Sequence, residues 1–170
     1  MTRVLITSDS HGLTEELTEI MDQHDEVDWY IHCGDSELDF DAEVLHPFYK
    51  VGGNCDFDPR YPTEEIKDID GTRFFITHGH LHQVKSGLTT LSYAAEEHQA
   101  KVVCFGHTHI AGAEKIGEQL FINPGSIRMP RNRVEKTYAI LEWLDNETVS
   151  VQFYTVDGQK IKNMSYSTIL

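Results

Sequence analysis

With 170 residues, 39% of them hydrophobic and 25% charged, the chain is expected to form a single globular domain over 1–170, large enough to bury roughly 70% of its unfolded surface. A formal charge of −14 argues against nucleic acid as the main partner, because neutralising a phosphate backbone requires clustered Lys and Arg.

The first apolar run, Val4-Leu5-Ile6, ends at Thr7-Ser8-Asp9 as a buried parallel strand would. Leu13, Leu17, Ile20 and Met21 then recur at helical spacing. Trp29-Tyr30-Ile31 reads as a second strand ending at Gly34-Asp35, and Tyr49-Lys50-Val51 as a third ending at Gly52-Gly53-Asn54. Glu64–Ile69 and Thr72–Thr77 flank Asp70-Gly71, which predicts a hairpin with a two-residue turn. A second helix is expected from Leu88, Leu91, Ala95 and His98, followed by the strand Val102–Phe105. The last third reads as strands and turns: Ala111–Ile116, Gln119–Asn123, Thr137–Leu144 and Val149–Thr155. A half-parallel opening joined to antiparallel hairpins predicts an α/β sandwich of two sheets with helices outside.

No apolar stretch approaches the roughly 18 residues of a spanning helix, and the N-terminus enters a strand-like run directly. Cys33, Cys55 and Cys104 form no CxxC pair, so no disulfide framework or zinc knuckle is indicated. A cytoplasmic location, with no membrane partner, is expected.

Seven metal-binding side chains lie in five short clusters, each just after a predicted strand: Asp9-Ser10-His11, Gly34-Asp35, Gly53-Asn54, His78-Gly79-His80 and Gly106-His107-Thr108-His109. In open α/β sheets the carboxyl ends of strands converge on one crevice, so residues distant in sequence meet there. Carboxylate and amide oxygens mixed with imidazole nitrogens suit manganese, iron, zinc, cobalt or nickel, and their number suffices for two ions sharing one carboxylate.

The order DxH, GD, GN, GH, GHxH resembles the calcineurin-like metallophosphoesterase superfamily. Gly53-Asn54-Cys55-Asp56 and the turn Asn123-Pro124-Gly125-Ser126 resemble its small YfcE-type phosphodiesterase branch. The resemblance implies a four-layer α/β/β/α sandwich, with two mixed sheets flanked by helices. It also implies Asp9, His11 and His109 on a first metal, Asn54, His78 and His107 on a second, and Asp35 bridging both. Asp35 and Asn54 would have catalytic roles too, Asn54 offering its amide NH₂ to a phosphoryl oxygen. The cofactor implied is a pair of divalent transition-metal ions, manganese foremost, with nickel, cobalt, iron or zinc also accommodated. Such a pair polarises phosphoryl oxygens and acidifies a water for in-line attack on a small phosphate-ester substrate.

Many superfamily members carry His where this chain has Cys55, so the usual helper for the leaving group is absent. His32 is expected to be either a satisfied core histidine or a partner of the ligands, and His80 either faces the site or points away. His24, His46, His82 and His98 suggest ordinary packing or solvent contact. Arg128, Arg131 and Arg133 read as a basic loop that offers one guanidinium at most to a substrate phosphate. The alternatives are a protein-binding scaffold on the same fold, as in the retromer subunit with its degraded metal site, and a nuclease, for which the chain lacks basic surface.

Overall fold

The computed structural model describes residues 1–170. Its eleven strands are β1 (Arg3–Thr7), β2 (Trp29–His32), β3 (Phe48–Lys50), β4 (Glu64–Ile69), β5 (Thr72–Thr77), β6 (Val102–Cys104), β7 (Gly112–Ile116), β8 (Gln119–Asn123), β9 (Thr137–Trp143), β10 (Thr148–Thr155) and β11 (Tyr166–Ile169). The helices are α1 (Glu15–Asp22) and α2 (Thr89–Glu97). One sheet has the order β11-β10-β9-β1-β2-β3 and the other β4-β5-β6-β8-β7. Both are mixed: β1, β2 and β3 run parallel, as do β5, β6 and β8, while the remaining pairings are antiparallel.

Side-chain alternation along these strands builds the layers. Val4 and Ile6 on β1 face Phe74 and Ile76 on β5 and Val102 and Cys104 on β6 within one buried cluster between the sheets. Leu5, pointing the other way, packs with Leu17 and Ile20 of α1. Phe75 and Val103 point outward from the second sheet and meet Leu91 and Ala95 of α2. Three apolar clusters thus fill the three interfaces of an α/β/β/α sandwich, the architecture expected from the sequence.

The hairpin Glu64–Thr77 has the expected bounds, because Asp70 and Gly71 both take positive φ, as its two-residue turn requires. Smaller differences have local causes. Leu13 lies ahead of α1, and β3 starts at Phe48, whose ring is buried while Val51 falls beyond the last pair. The sequence pattern gives no strand here: the alternating burial of β11 is weak, and it is an edge strand whose only strand pairing is with β10. β8 pairs antiparallel with β7 but parallel with β6. Its carboxyl end therefore opens on the same rim as β1, β2, β3, β5 and β6, bringing Asn123 to the site.

Candidate metal centre

The rim loops are wound tightly. Asp9, His11, Asp35, His107 and His109 all take positive φ, a region that costs a non-glycine residue on the order of 1 kcal/mol or more. Two glycines make the close approach possible: a Cβ at Gly53 would overlap Asp35 Oδ1, and one at Gly106 would overlap Ser8 Oγ and Asp9 Oδ2.

Asp9 is fully buried. Its Oδ2 accepts from Ser8 Oγ (2.5 Å) and from the His107 backbone N–H (3.1 Å). Its Oδ1 is buried without a hydrogen-bond partner, although the Nε2 atoms of His109, His11 and His78 stand 3.0, 3.7 and 3.8 Å away. Burial alone would raise the Asp9 pKa, but His109, His11 and the charge of His78 outweigh it and hold the carboxyl well below its usual range. An orphaned carboxylate oxygen ringed by imidazole nitrogens is a cation seat in its donor chemistry.

The imidazoles are aimed from behind. His78 Nδ1–H donates to the Cys33 carbonyl (2.7 Å) and His109 Nδ1–H to the Met129 carbonyl (2.6 Å). His11 Nδ1–H reaches Glu37 Oε1 at 3.4 Å. Each arrangement leaves Nε2 facing the site, as ligation requires. Asp35 Oδ2 lies 3.2 Å from His78 Nε2, and its Oδ1 accepts the Cys55 backbone N–H (2.8 Å). Burial opposes ionisation of both Asp35 and His78; their mutual contact overrides it, lowering the pKa of Asp35 and raising that of His78.

Two groups of potential ligands result, Asp9–His11–His109 and Asp9–Asp35–His78, with Asp9 common to both. Asn54 joins the second group at its edge, its Oδ1 3.2 Å from His78 Nε2. The His107 ring stands beside that of His78, with centroids 5.1 Å apart. Burial, then repulsion from His78, pushes the His107 pKa down to about 4, leaving a neutral imidazole near pH 7. All seven residues singled out in the sequence are therefore gathered on one rim.

Other positions gain definite places. His32 is buried, donating through Nε2 to Ser10 Oγ (2.8 Å) while its Nδ1 accepts the Gly34 N–H (3.2 Å). It thus joins the loops that follow β1 and β2. Its pKa is pushed down to about 4, chiefly by burial. The His80 ring packs at a tilt beside that of His78, with centroids 5.4 Å apart. His24 is packed internally, with Nε2 2.7 Å from Tyr138 Oη. Arg128 is engaged with the His11 backbone carbonyl, and Arg133 lies 3.5 Å from Glu135.

Sequence reasoning assigned no role to Asp56, Asn123, Ser126 or Glu37. Asp56 accepts backbone N–H groups of Asp35 (2.7 Å), Glu37 (2.8 Å) and Gly53 (2.8 Å), clamping two ligand loops together. Ser126 Oγ donates to the Asp9 carbonyl (2.7 Å), and Asn123 Nδ2 donates to Gly106 O (3.2 Å) and Thr108 Oγ1 (2.9 Å). The only available signal was their presence in the GNCD and NPGS motifs. Glu37 carries no such mark.

The sequence profile described as the calcineurin-like phosphoesterase superfamily domain matches residues 2–146. The chain belongs to that superfamily. It is 49% identical over 162 residues to the probable metallophosphoesterase YsnB of Bacillus subtilis, covering 95% of each chain. It is 29% identical to the phosphodiesterase YfcE of Escherichia coli K12, covering 89% of this chain and 91% of that one. A Streptococcus pneumoniae crystal structure described as a predicted phosphoesterase superposes with a TM-score of 0.94 at 34% identity, covering 99% of this chain and 98% of the other. Membership in this superfamily makes the chain a phosphoester hydrolase in the general sense and implies divalent metal ions, for which the rim supplies candidate ligands. No helix is long and apolar enough to cross a membrane.

A pH effect on stability follows from His32. Its folded pKa of about 4 lies below the ordinary value of about 6.5, so the unfolded chain binds the extra proton first as pH falls. Stability present above pH 6.5 should be lost progressively towards pH 4, by an amount on the order of 3 kcal/mol from this group. Denaturant titrations of metal-free protein at pH 7 and pH 4.5 should show a smaller loss for His32→Asn than for wild type. Equal losses would remove His32 as the cause.

Proposed function

We propose that residues 1–170 act as one binuclear metal-dependent phosphodiesterase domain hydrolysing small phosphate esters. The observation that carries this reading is Asp9 Oδ1, buried and unpartnered amid three Nε2 atoms at 3.0–3.8 Å. Asp9, His11 and His109 would hold one ion, Asn54, His78 and His107 the other, and Asp35 would bridge them. When bound, the ions supply Lewis acidity towards the phosphoryl oxygens and an acidified water as nucleophile.

The chain's own groups set the geometry. Asn54 is exposed at the mouth; one Nδ2 hydrogen lies toward Cys55 Sγ at 3.5 Å, and the other is available to orient a phosphoryl oxygen while Oδ1 faces the His78 side. His11, His78 and His109 keep their orientation through Glu37 and the carbonyls of Cys33 and Met129. No residue needs to form a covalent intermediate. The complete ligand set argues against a purely protein-binding role. Manganese suits the mixture of oxygen and imidazole donors, and the loops Ser36–Pro47 and Asp56–Pro62 border the mouth where substrates are discriminated.

Chelation should abolish hydrolysis, and adding Mn²⁺ to the metal-free protein should restore it, with two ions per chain by metal analysis. A screen of aryl phosphodiesters, phosphomonoesters and cyclic nucleotides should favour diesters. Undiminished turnover in rigorously metal-free protein would overturn the proposal.

A further inference from the structure

A third group of potential ligands stands at the rim, outside the two that share Asp9: His11, Glu37 and Cys55, with one ligand atom from each lying within 4.8 Å of the others. They come from three loops, those following β1, β2 and β3. Those loops are fixed independently of the side chains in question. Asp56 holds the Glu37 and Gly53 backbone N–H groups, and Asp35 Oδ1 holds that of Cys55. The His11 ring stands between the groups, its Nε2 3.4 Å from His109 Nε2 and its Nδ1 3.4 Å from Glu37 Oε1. The Glu37 side chain is 41% exposed, so it is free to close the remaining distance, and water has access to a fourth position.

This donor set differs in kind from the oxygen and imidazole centre beside it. A thiolate with imidazole and carboxylate selects zinc-like ions, whereas manganese gains little from sulfur. We propose that His11, Glu37 and Cys55 form a separate seat for a thiophilic divalent ion such as Zn²⁺, and that an ion there withdraws His11 from the Mn²⁺-loaded centre. On binding, the Cys55 thiol releases its proton to solvent and the sulfur coordinates as thiolate, while the His11 proton moves from Nδ1 to Nε2 so that the nitrogen 3.4 Å from Glu37 Oε1 carries the lone pair. A neutral imidazole has a single lone pair to donate, so His11 serves one seat at a time. Excess zinc then antagonises manganese. The antagonism rests on the two-metal reading above; occupation of the seat does not.

Co²⁺ titration of the metal-free, full-length protein tests the seat, since only a bound thiolate gives a sulfur-to-cobalt charge-transfer band in the near ultraviolet. Wild type should develop that band, Cys55→Ser should lack it, and Glu37→Gln should need about tenfold or more Co²⁺ to reach half its amplitude. Absence of the band in wild type at saturating Co²⁺, an undiminished band in Cys55→Ser, or unchanged affinity in Glu37→Gln would overturn the seat. For the antagonism, Zn²⁺ added to the Mn²⁺ enzyme should halve hydrolysis at a concentration at least about tenfold lower in wild type than in Cys55→Ser. Equal sensitivity would overturn the competition for His11. Failure of Mn²⁺ to support any wild-type hydrolysis would overturn the two-metal reading instead, leaving the cobalt spectrum as a separate result.

Discussion

Asp35→Asn is expected to reduce turnover on the order of 10³-fold, the several kcal/mol that a correctly held metal pair contributes to charge stabilisation. The fold should survive. Asp35 sits at φ +57°, and Asn is among the few residues that accept this region readily. The substituted side chain retains an oxygen to accept the Cys55 N–H, now made to Oδ1 at 2.8 Å. What disappears is the negative charge that Asp35, as the proposed bridging ligand, would place between two cations. Metal analysis should therefore show fewer than two ions per chain, with thermal unfolding of the metal-free protein little changed. An independent check is available without metal. Asp35 is a principal cause of the raised His78 pKa, so the His78 imidazole, followed by NMR, should titrate at lower pH in the variant. Near-normal turnover together with two bound ions would refute the bridging role and pass it to Asp9, the carboxylate common to both ligand groups.

The sequence was most informative where local chemistry and topology pointed the same way. Asp70-Gly71 required a hairpin, and alternation in Val4-Leu5-Ile6 or Phe74-Phe75-Ile76 divides neighbouring side chains between the inter-sheet core and a helix-covered face. The ligand clusters were legible because each ends a strand, and parallel neighbours bring such ends together. Residues that act through backbone contacts were far less visible. Asp56 and Ser126 orient ligand loops by hydrogen bonds to main-chain atoms, and no spacing rule marks a carboxylate that will bind three N–H groups at the far end of another loop. Glu37 and Cys55 meet His11 only through the pairing of β1, β2 and β3. β11 escaped notice for a different reason: an edge strand needs apolar residues on one face only, and its four residues leave too short a pattern to distinguish from a loop.

Cys55→His is expected to change how turnover depends on the leaving group. The family resemblance implies an imidazole at this position in many superfamily members, whereas in this chain the thiol pKa is pushed up to about 11, by burial and then by the charge of Asp35. That is farther from neutrality than an imidazole, so the thiol is the poorer proton donor at pH 7. Wild type should therefore hydrolyse nitrophenyl-type esters well and alkyl esters poorly, with rates falling steeply as leaving-group pKa rises. Cys55 is half-buried at the mouth, its sulfur 3.5 Å from Asn54 Nδ2, so an imidazole there would stand beside the amide proposed to orient the phosphoryl group. Proton donation in the transition state contributes about 10²–10⁴-fold, and the lower end of that range is expected for alkyl esters in the variant, with aryl esters changing little. A ring that displaced Asn54 would slow both classes together, which separates misplacement from acid catalysis. The decisive measurement is a leaving-group series for both proteins at fixed Mn²⁺: equally shallow slopes would mean that another group, with His80 foremost because its ring lies 5.4 Å from that of His78, already delivers the proton.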